Sequence, residues 1–224
     1  MFKTACPNCG AEIVFRSAGL PARVCDYCRT MVVRSGESVT ALGKAAELPF
    51  DVSPFQIGTR GRFEGHGFEI VGRVRWGWTD GSWNEWLLLF DDGSSAWLGE
   101  AMGQLMLLRE RPLAEIRDEV IEGLAGGGHV PVGTEAEVDG ETLIVSDARD
   151  ATCIAAEGEL PFTAPAGWTI FSVDFRSASG RCASLQRDGK EADFYDGRYV
   201  TMDELAPSNL RALEGWPVPA FAAA

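Results

Sequence analysis

Two C-x2-C knuckles stand near the start of this chain, Cys6-Pro7-Asn8-Cys9 and Cys25-Asp26-Tyr27-Cys28, with fifteen residues between them. A C-x2-C turn brings two sulfurs to one side of a tight loop, and two such turns at the ends of a short hairpin complete a tetrahedron of thiolates. Zn2+ suits such a set and has no redox chemistry of its own, so Cys6, Cys9, Cys25 and Cys28 point to a structural ion rather than a reaction centre. Each knuckle is followed by a β-prone run, Glu12-Ile13-Val14-Phe15 and Met31-Val32-Val33. This is the layout of a zinc ribbon, too short to hold itself together by burial alone. A pair of disulfides would need an export signal, and no apolar signal segment precedes Cys6. The remote Cys153 and Cys182 read as small buried apolar residues.

A second chemical cluster is aromatic. Five of the seven tryptophans fall between residues 76 and 97: Trp76, Trp78, Trp83, Trp86 and Trp97. Among and beside them lie Glu85, Asp91, Asp92 and Glu100. Indole faces beside carboxylates bind organic cations, and aromatic anchors also make protein hot spots. Trp76, Trp78, Trp83, Glu85, Trp97 and Glu100 are therefore the candidate binding surface, set against the plainer reading of a tryptophan-rich β core. No catalytic constellation accompanies them. His66 sits in a Gly-His-Gly turn and His129 follows three glycines, neither within a metal-ligand or acid–base pattern. The chain has no phosphate loop and no nucleophile elbow.

The elements that must position these groups are mainly β. Residues 1–35 form the ribbon and 36–54 a linker with a helical turn over 41–48. Short strands between glycine turns follow over 55–111: 59–64, 68–76, 83–90, 94–98 and 104–109. A helix over 112–124 and a Gly126-Gly127-Gly128 stop make a connector through residue 130. A second β region covers 131–213, with strands at 135–138, 142–146, 152–157, 168–175, 181–187, 191–195 and 199–200, and 214–224 is a tail. Ile57-Gly58-Thr59 opens the first β region and Val132-Gly133-Thr134 the second. Asp92-Gly93-(x)3-Trp97-Leu98 and Asp196-Gly197-(x)3-Thr201-Met202 stand near their ends. The fold expected is a zinc ribbon followed by one or two small β-barrel or sandwich-like modules, as in a tandem duplication, separated by a short helix.

Charge narrows the partners. The net charge is −13, yet residues 1–40 carry +2, which leaves −15 on the remaining 184. A body this acidic repels phosphate, which argues against nucleic acid and anionic membranes and for cationic ligands or basic protein faces. No run approaches the roughly 20 apolar residues of a membrane helix, so direct insertion is not expected and the cytoplasm is the default location.

Phe68-Glu69-Ile70-Val71-Gly72-Arg73, Trp83-Asn84-Glu85-Trp86-Leu87-Leu88 and Trp97-Leu98-Gly99-Glu100 resemble the bacterial domain-of-unknown-function family numbered 4178. Gly158-Glu159-Leu160-Pro161, Asp174 and Tyr195-Asp196-Gly197 are similar to further short motifs of that family. The resemblance covers about residues 50–205 and implies no activity. It implies association with bacterial envelope-stress and polyamine-linked systems. With the residues above, it leads to an expected non-enzymatic adaptor that docks a protein partner, membrane-associated or not, through the aromatic surface. A sensor of organic cations such as polyamines is the alternative, and an enzyme of unrecognised type the second alternative.

Overall fold

The computed structural model describes residues 1–215 apart from Lys190. The ribbon end holds β1 (Phe2–Ala5), β2 (Glu12–Phe15), β3 (Ala22–Val24), β4 (Thr30–Ser35) and β5 (Ser38–Lys44). A first β region follows as β6 (Arg60–Phe63), β7 (His66–Trp78), β8 (Gly81–Phe90), β9 (Ser95–Ala101) and β10 (Gln104–Arg111). After a 3-10 turn at Leu113–Glu115 and α1 (Glu119–Ala125) come β11 (Glu135–Val138), β12 (Glu141–Leu160), β13 (Thr169–Arg176), β14 (Arg181–Asp188), β15 (Glu191–Val200) and α2 (Met202–Leu205).

The two β regions share one sheet. β7 to β10 form an antiparallel meander, and so do β12 to β15. β7 also pairs with β12, and β10 with β15, both antiparallel. The pairings therefore run once around a ring of eight strands, a closed barrel with no free edge in the ring. At each seam a glycine lets two backbones meet. A Cβ on Gly158 would enter the carbonyl oxygen of Val71, and one on Gly197 that of Leu107.

The halves repeat one another in detail. Gly58 N–H donates to the Ile70 carbonyl (2.8 Å), and Ile70 N–H donates back to Thr59 (2.8 Å). Gly133 and Val145 do the same through Thr134 (2.8 and 2.9 Å). A bulge follows both Ile70 and Val145. The Ile-Gly-Thr and Val-Gly-Thr openings are thus structural equivalents. The two Asp-Gly pairs are not: Asp92-Gly93 lies in the turn between β8 and β9, whereas Asp196-Gly197 lies inside β15 at a seam.

Apolar residues on the outer face of each half are covered by the helix that follows the other. Ile121 and Leu124 of α1 pack on Val145, Val173, Phe175 and Phe194 of the second half. Leu205 of α2 packs with Ile70, Trp86, Leu88 and Leu98 of the first, joined by Phe55.

The ribbon is fixed to the barrel at the end of β12. β3 pairs with Glu159 and Leu160. The Glu159 side chain is wholly buried and accepts from Arg16 N–H (2.6 Å) and Arg23 Nη1 (3.0 Å). Arg23 also reaches Asp26 inside the second knuckle (2.7 Å).

Several sequence expectations need correcting. The helical turn expected over 41–48 is absent: 41–44 are the end of strand β5, paired along β4 because Val39 and Ala41 continue the ribbon's sheet, and 45–48 are coil. The helix over 112–124 is broken at residues 116–118. Ile116 is extended, and the Asp118 side chain caps α1 by accepting from Val120 and Ile121 N–H, so the helix starts at Glu119. The two strands expected at 142–146 and 152–157 are one, β12, and those at 191–195 and 199–200 are β15. Of the expected tail, residues 216–224 lie outside the described residues.

Candidate functional site

The four knuckle sulfurs converge. Cys6 Sγ lies 3.7 Å from Cys28 Sγ, Cys9 Sγ lies 3.8 Å from Cys25 Sγ, and all four lie within 4.8 Å of one another. Both knuckles use the same turn. Gly10 N–H donates to the Cys6 carbonyl (2.9 Å) and Arg29 N–H to the Cys25 carbonyl (2.9 Å). A tetrahedral ion with arms of about 2.3 Å to sulfur needs an edge of about 3.8 Å. The cluster has that size and four free thiols, so it fits a metal ion. The side chains of Asn8 and Thr30 draw Cys28 down to about 5, while burial raises Cys25.

The second site is the inside of the barrel. A cavity of about 440 Å3 opens there, in the range of small-molecule sites. Its wall carries the half-buried rings of Trp78, Trp83, Phe162 and Tyr199 and the buried rings of Trp97 and Tyr195. Phe162 stacks on Trp97 (centroids 5.8 Å apart), and Trp168 packs against both Phe162 and Trp76. Exposed Met102, Gln104 and Arg176 stand at the mouth. Beside them Arg149 is held by Asp147 (Nε to Oδ2, 2.5 Å) and lies over the Trp78 ring at 4.4 Å.

Two acids reach into this interior. Glu85 of β8 accepts from Trp76 Nε1 (2.8 Å), Trp83 Nε1 (3.0 Å) and Gln186 Nε2 (2.7 Å). Burial raises its carboxyl, and the three donors oppose the rise. Asp174 of β13 is pushed up to about 6 by burial. A Ser184 hydroxyl bond counters the shift, the charges of Asp147 and Glu85 add to it, and Arg149 opposes it. The surface these two acids keep faces the cavity rather than bulk water. Tyr195 is likewise raised by burial, beside Asp193, Glu85 and Glu110, and stays a neutral phenol.

The residues singled out from sequence do not form an exposed face. Trp76 is fully buried and Trp97 is 9% exposed. Trp78, Trp83 and Glu85 turn inward, because period two on a closed barrel sends this set to the interior. Glu100 stands at the rim, where Oε2 accepts from Asn84 Nδ2 (3.0 Å) and from Trp86 Nε1 (2.9 Å) of the outer core. The aromatic surface expected to dock a protein is therefore an internal wall. The second-half lining, Ser172, Asp174, Ser184, Gln186 and Tyr195, was not among the candidates. Its sequence signals are the family-like motifs at Asp174 and Tyr195 and the polar alternation Ser172-x-Asp174-x-Arg176 and Ser184-x-Gln186. His66 lies 3.4 Å from Asp91 and His129 packs on Phe171 (4.5 Å), and neither lines the cavity. Burial pushes the thiols of Cys153 and Cys182 up to about 11 and about 12, which leaves them unreactive.

Among the described residues no helix is long and apolar enough to cross a membrane. No curated protein and no solved structure matches the chain. One family model does, over residues 56–202, which spans the whole barrel and leaves out the ribbon. On that match the chain belongs to the family described as Domain of unknown function (DUF4178).

Proposed function

We propose that this protein is a small-molecule receptor: the barrel interior seats the ligand, and a Zn2+ ion in the cysteine cluster holds the ribbon that braces one end of β12. The observation that carries this reading is the cavity itself, about 440 Å3, ringed by aromatic faces and entered by converging polar groups. Eight strands make an interior of the size that holds one small ligand. The zinc part is supported by the sulfur spacing and by the thiolate chemistry of the donor set.

A neutral naphthyl fluorophore such as N-phenyl-1-naphthylamine tests the seat. Wild-type protein should enhance its emission. Gly99→Leu, which projects a side chain into the lumen from β9, should abolish the enhancement while the thermal midpoint stays within a few degrees. Equal enhancement by both proteins would place the dye elsewhere, and no enhancement by either would remove the seat. Metal analysis tests the ribbon. The protein should carry about one zinc per chain, and Cys25→Ser/Cys28→Ser should lose it together with amide protection over residues 1–44 but not over the barrel. A metal-free preparation with a fully protected ribbon would overturn the zinc assignment.

A further inference from the structure

We infer that the ligand of the barrel cavity is an organic monocation, with Asp174 as its counter-ion. This rests on the cavity being the seat proposed above.

The two interior acids are not equivalent. Glu85 is fully engaged: its two oxygens receive three N–H donors from Trp76, Trp83 and Gln186. A carboxylate has about four acceptor positions, so little of Glu85 is left for a ligand. It works as a clamp that holds the buried Trp76 behind Trp83, and of these two indoles it is Trp83 that lines the cavity.

Asp174 keeps most of its acceptor positions open. Ser184 faces it across the β13–β14 pairing, and its hydroxyl draws the carboxyl down only in part. The groups around it supply no free positive charge. From β12 come Asp147 and Arg149, which are bound to each other at 2.5 and 2.6 Å. From β8 comes Glu85, already saturated. β14 adds Cys182 and β15 adds Tyr199, both neutral because burial raises them. Arg176, on the same strand, points to solvent at the mouth. No ion pair joins Asp174 to any described Lys, Arg or His.

A carboxylate in such a place is costly unless a cation joins it. The walls favour the same visitor. Trp78, Trp83, Trp97 and the two tyrosines line the cavity, and a cation over an indole gains cation–π energy. The protein demonstrates the contact itself with Arg149 over Trp78. An anionic ligand would face both acids, and a neutral one would leave Asp174 without a partner. Of the other lining acids, Glu85 is saturated, Asp147 is paired with Arg149, and Glu100 stands at the rim bonded to Asn84 and Trp86, so Asp174 is the interior carboxylate left to match one ammonium. A polyamine would leave its further ammonium groups unpaired among aromatic rings, so the second-charge penalty selects a compact monoamine or quaternary ammonium.

Calorimetric titrations with phenethylamine, 2-phenylethanol, phenylacetate and spermidine test this on the full chain, beside the neutral naphthyl dye. Phenethylamine should bind about tenfold or more tightly than its neutral isostere 2-phenylethanol. Phenylacetate should be weakest, and spermidine should not exceed phenethylamine. Amine affinity should rise with pH through about 6, as Asp174 ionises. Asp174→Asn should erase the amine preference while dye uptake persists, which shows the variant folded and its cavity open. Dye uptake with equal affinity for amine and alcohol, or a preference that survives Asp174→Asn, would overturn the cation assignment and leave the seat intact. Tighter binding of spermidine would overturn the monocation. Neither dye uptake nor amine heat would overturn both.

Discussion

The two halves of the barrel have the same skeleton and opposite interiors. Each opens on a hydrogen-bonded Gly-Thr corner, bends its first long strand at the same bulge and runs a four-strand meander. Inside, the first half supplies indoles and one acid whose hydrogen bonds are all made. The second supplies serines, tyrosines and an acid with no ion-pair partner among the described residues. Repetition thus preserved what closes the barrel and left free what fills it. The lesson is physical: ladder hydrogen bonds and close backbone approach constrain a strand whatever its side chains are, whereas a lumen position only has to fit the volume it faces.

The comparison is most severely tested at the seams. If the halves close on each other as equals, both seams should be equally intolerant of a side chain. Gly158→Ala must adopt φ +73° and meet the Val71 carbonyl, and Gly197→Ala meets the Leu107 carbonyl and the Leu108 Cα. In each case the obstacle is backbone, which cannot rotate away. Each substitution should cost on the order of 4 kcal/mol, read as a shift of the urea midpoint. A near-neutral Gly197→Ala would show that only the β7–β12 seam is tight, and the equivalence would fail.

The acids should respond with opposite signs. Glu85→Gln replaces an all-acceptor group by an amide whose NH2 faces an N–H donor, so it should cost about 2 kcal/mol. Asp174→Asn should do the reverse. The native Asp174 carboxyl titrates near about 6, above its ordinary 3.8, so between those values the folded chain holds a proton that the unfolded chain has released. Wild-type stability therefore falls as pH rises through that window, and below it the penalty is absent. Asp174→Asn should match wild type in acid and gain on the order of 2 kcal/mol above the window, after allowance for water in the cavity. Denaturation at several pH values checks both. A loss for Asp174→Asn at neutral pH would mean that this acid is as fully bonded as Glu85.

What was legible in the chain follows the range of the interactions. The cysteine knuckles are local, so their spacing alone brought Cys6, Cys9, Cys25 and Cys28 together. Strand ends at glycine turns were legible for the same reason, as at Asp91-Asp92-Gly93. Within β12, Asp147-Ala148-Arg149-Asp150 reads as a loop because it is polar, yet it pairs with β13 and lines the mouth. Asp196-Gly197 reads as a turn, yet its glycine serves the approach of β10. The cavity was hidden by an inversion. Thr169–Arg176 alternates as a half-buried strand should, but its Phe171, Val173 and Phe175 pack outward under α1 while Ser172 and Asp174 face the lumen. Alternation fixes two faces and not which one points inward. Ring closure decides that, and closure depends on pairings far apart in the chain, such as Gly77 with Thr152 and Leu105 with Val200.

The helices give the mildest test of equivalence, because each half is roofed by the other's helix and the roofs are fastened differently. Asp118 caps α1 through Oδ1, which accepts from Val120 and Ile121 N–H (2.9 and 3.0 Å). Its Oδ2 accepts from Glu137 N–H of β11 (2.8 Å), so one carboxylate ties roof to wall. Thr201 caps α2 within a reciprocal box with Glu204, and both bonds stay inside the helix's first turn. Asp118→Ala should therefore cost about 2 kcal/mol and Thr201→Ala about 1 kcal/mol or less. Hydrogen exchange separates the cases further: the Glu137 amide should lose protection in Asp118→Ala, with no matching loss in β6 for Thr201→Ala. Equal costs and equally local losses would mean that the roofs are interchangeable. In that event the asymmetry between the halves would be confined to the lumen.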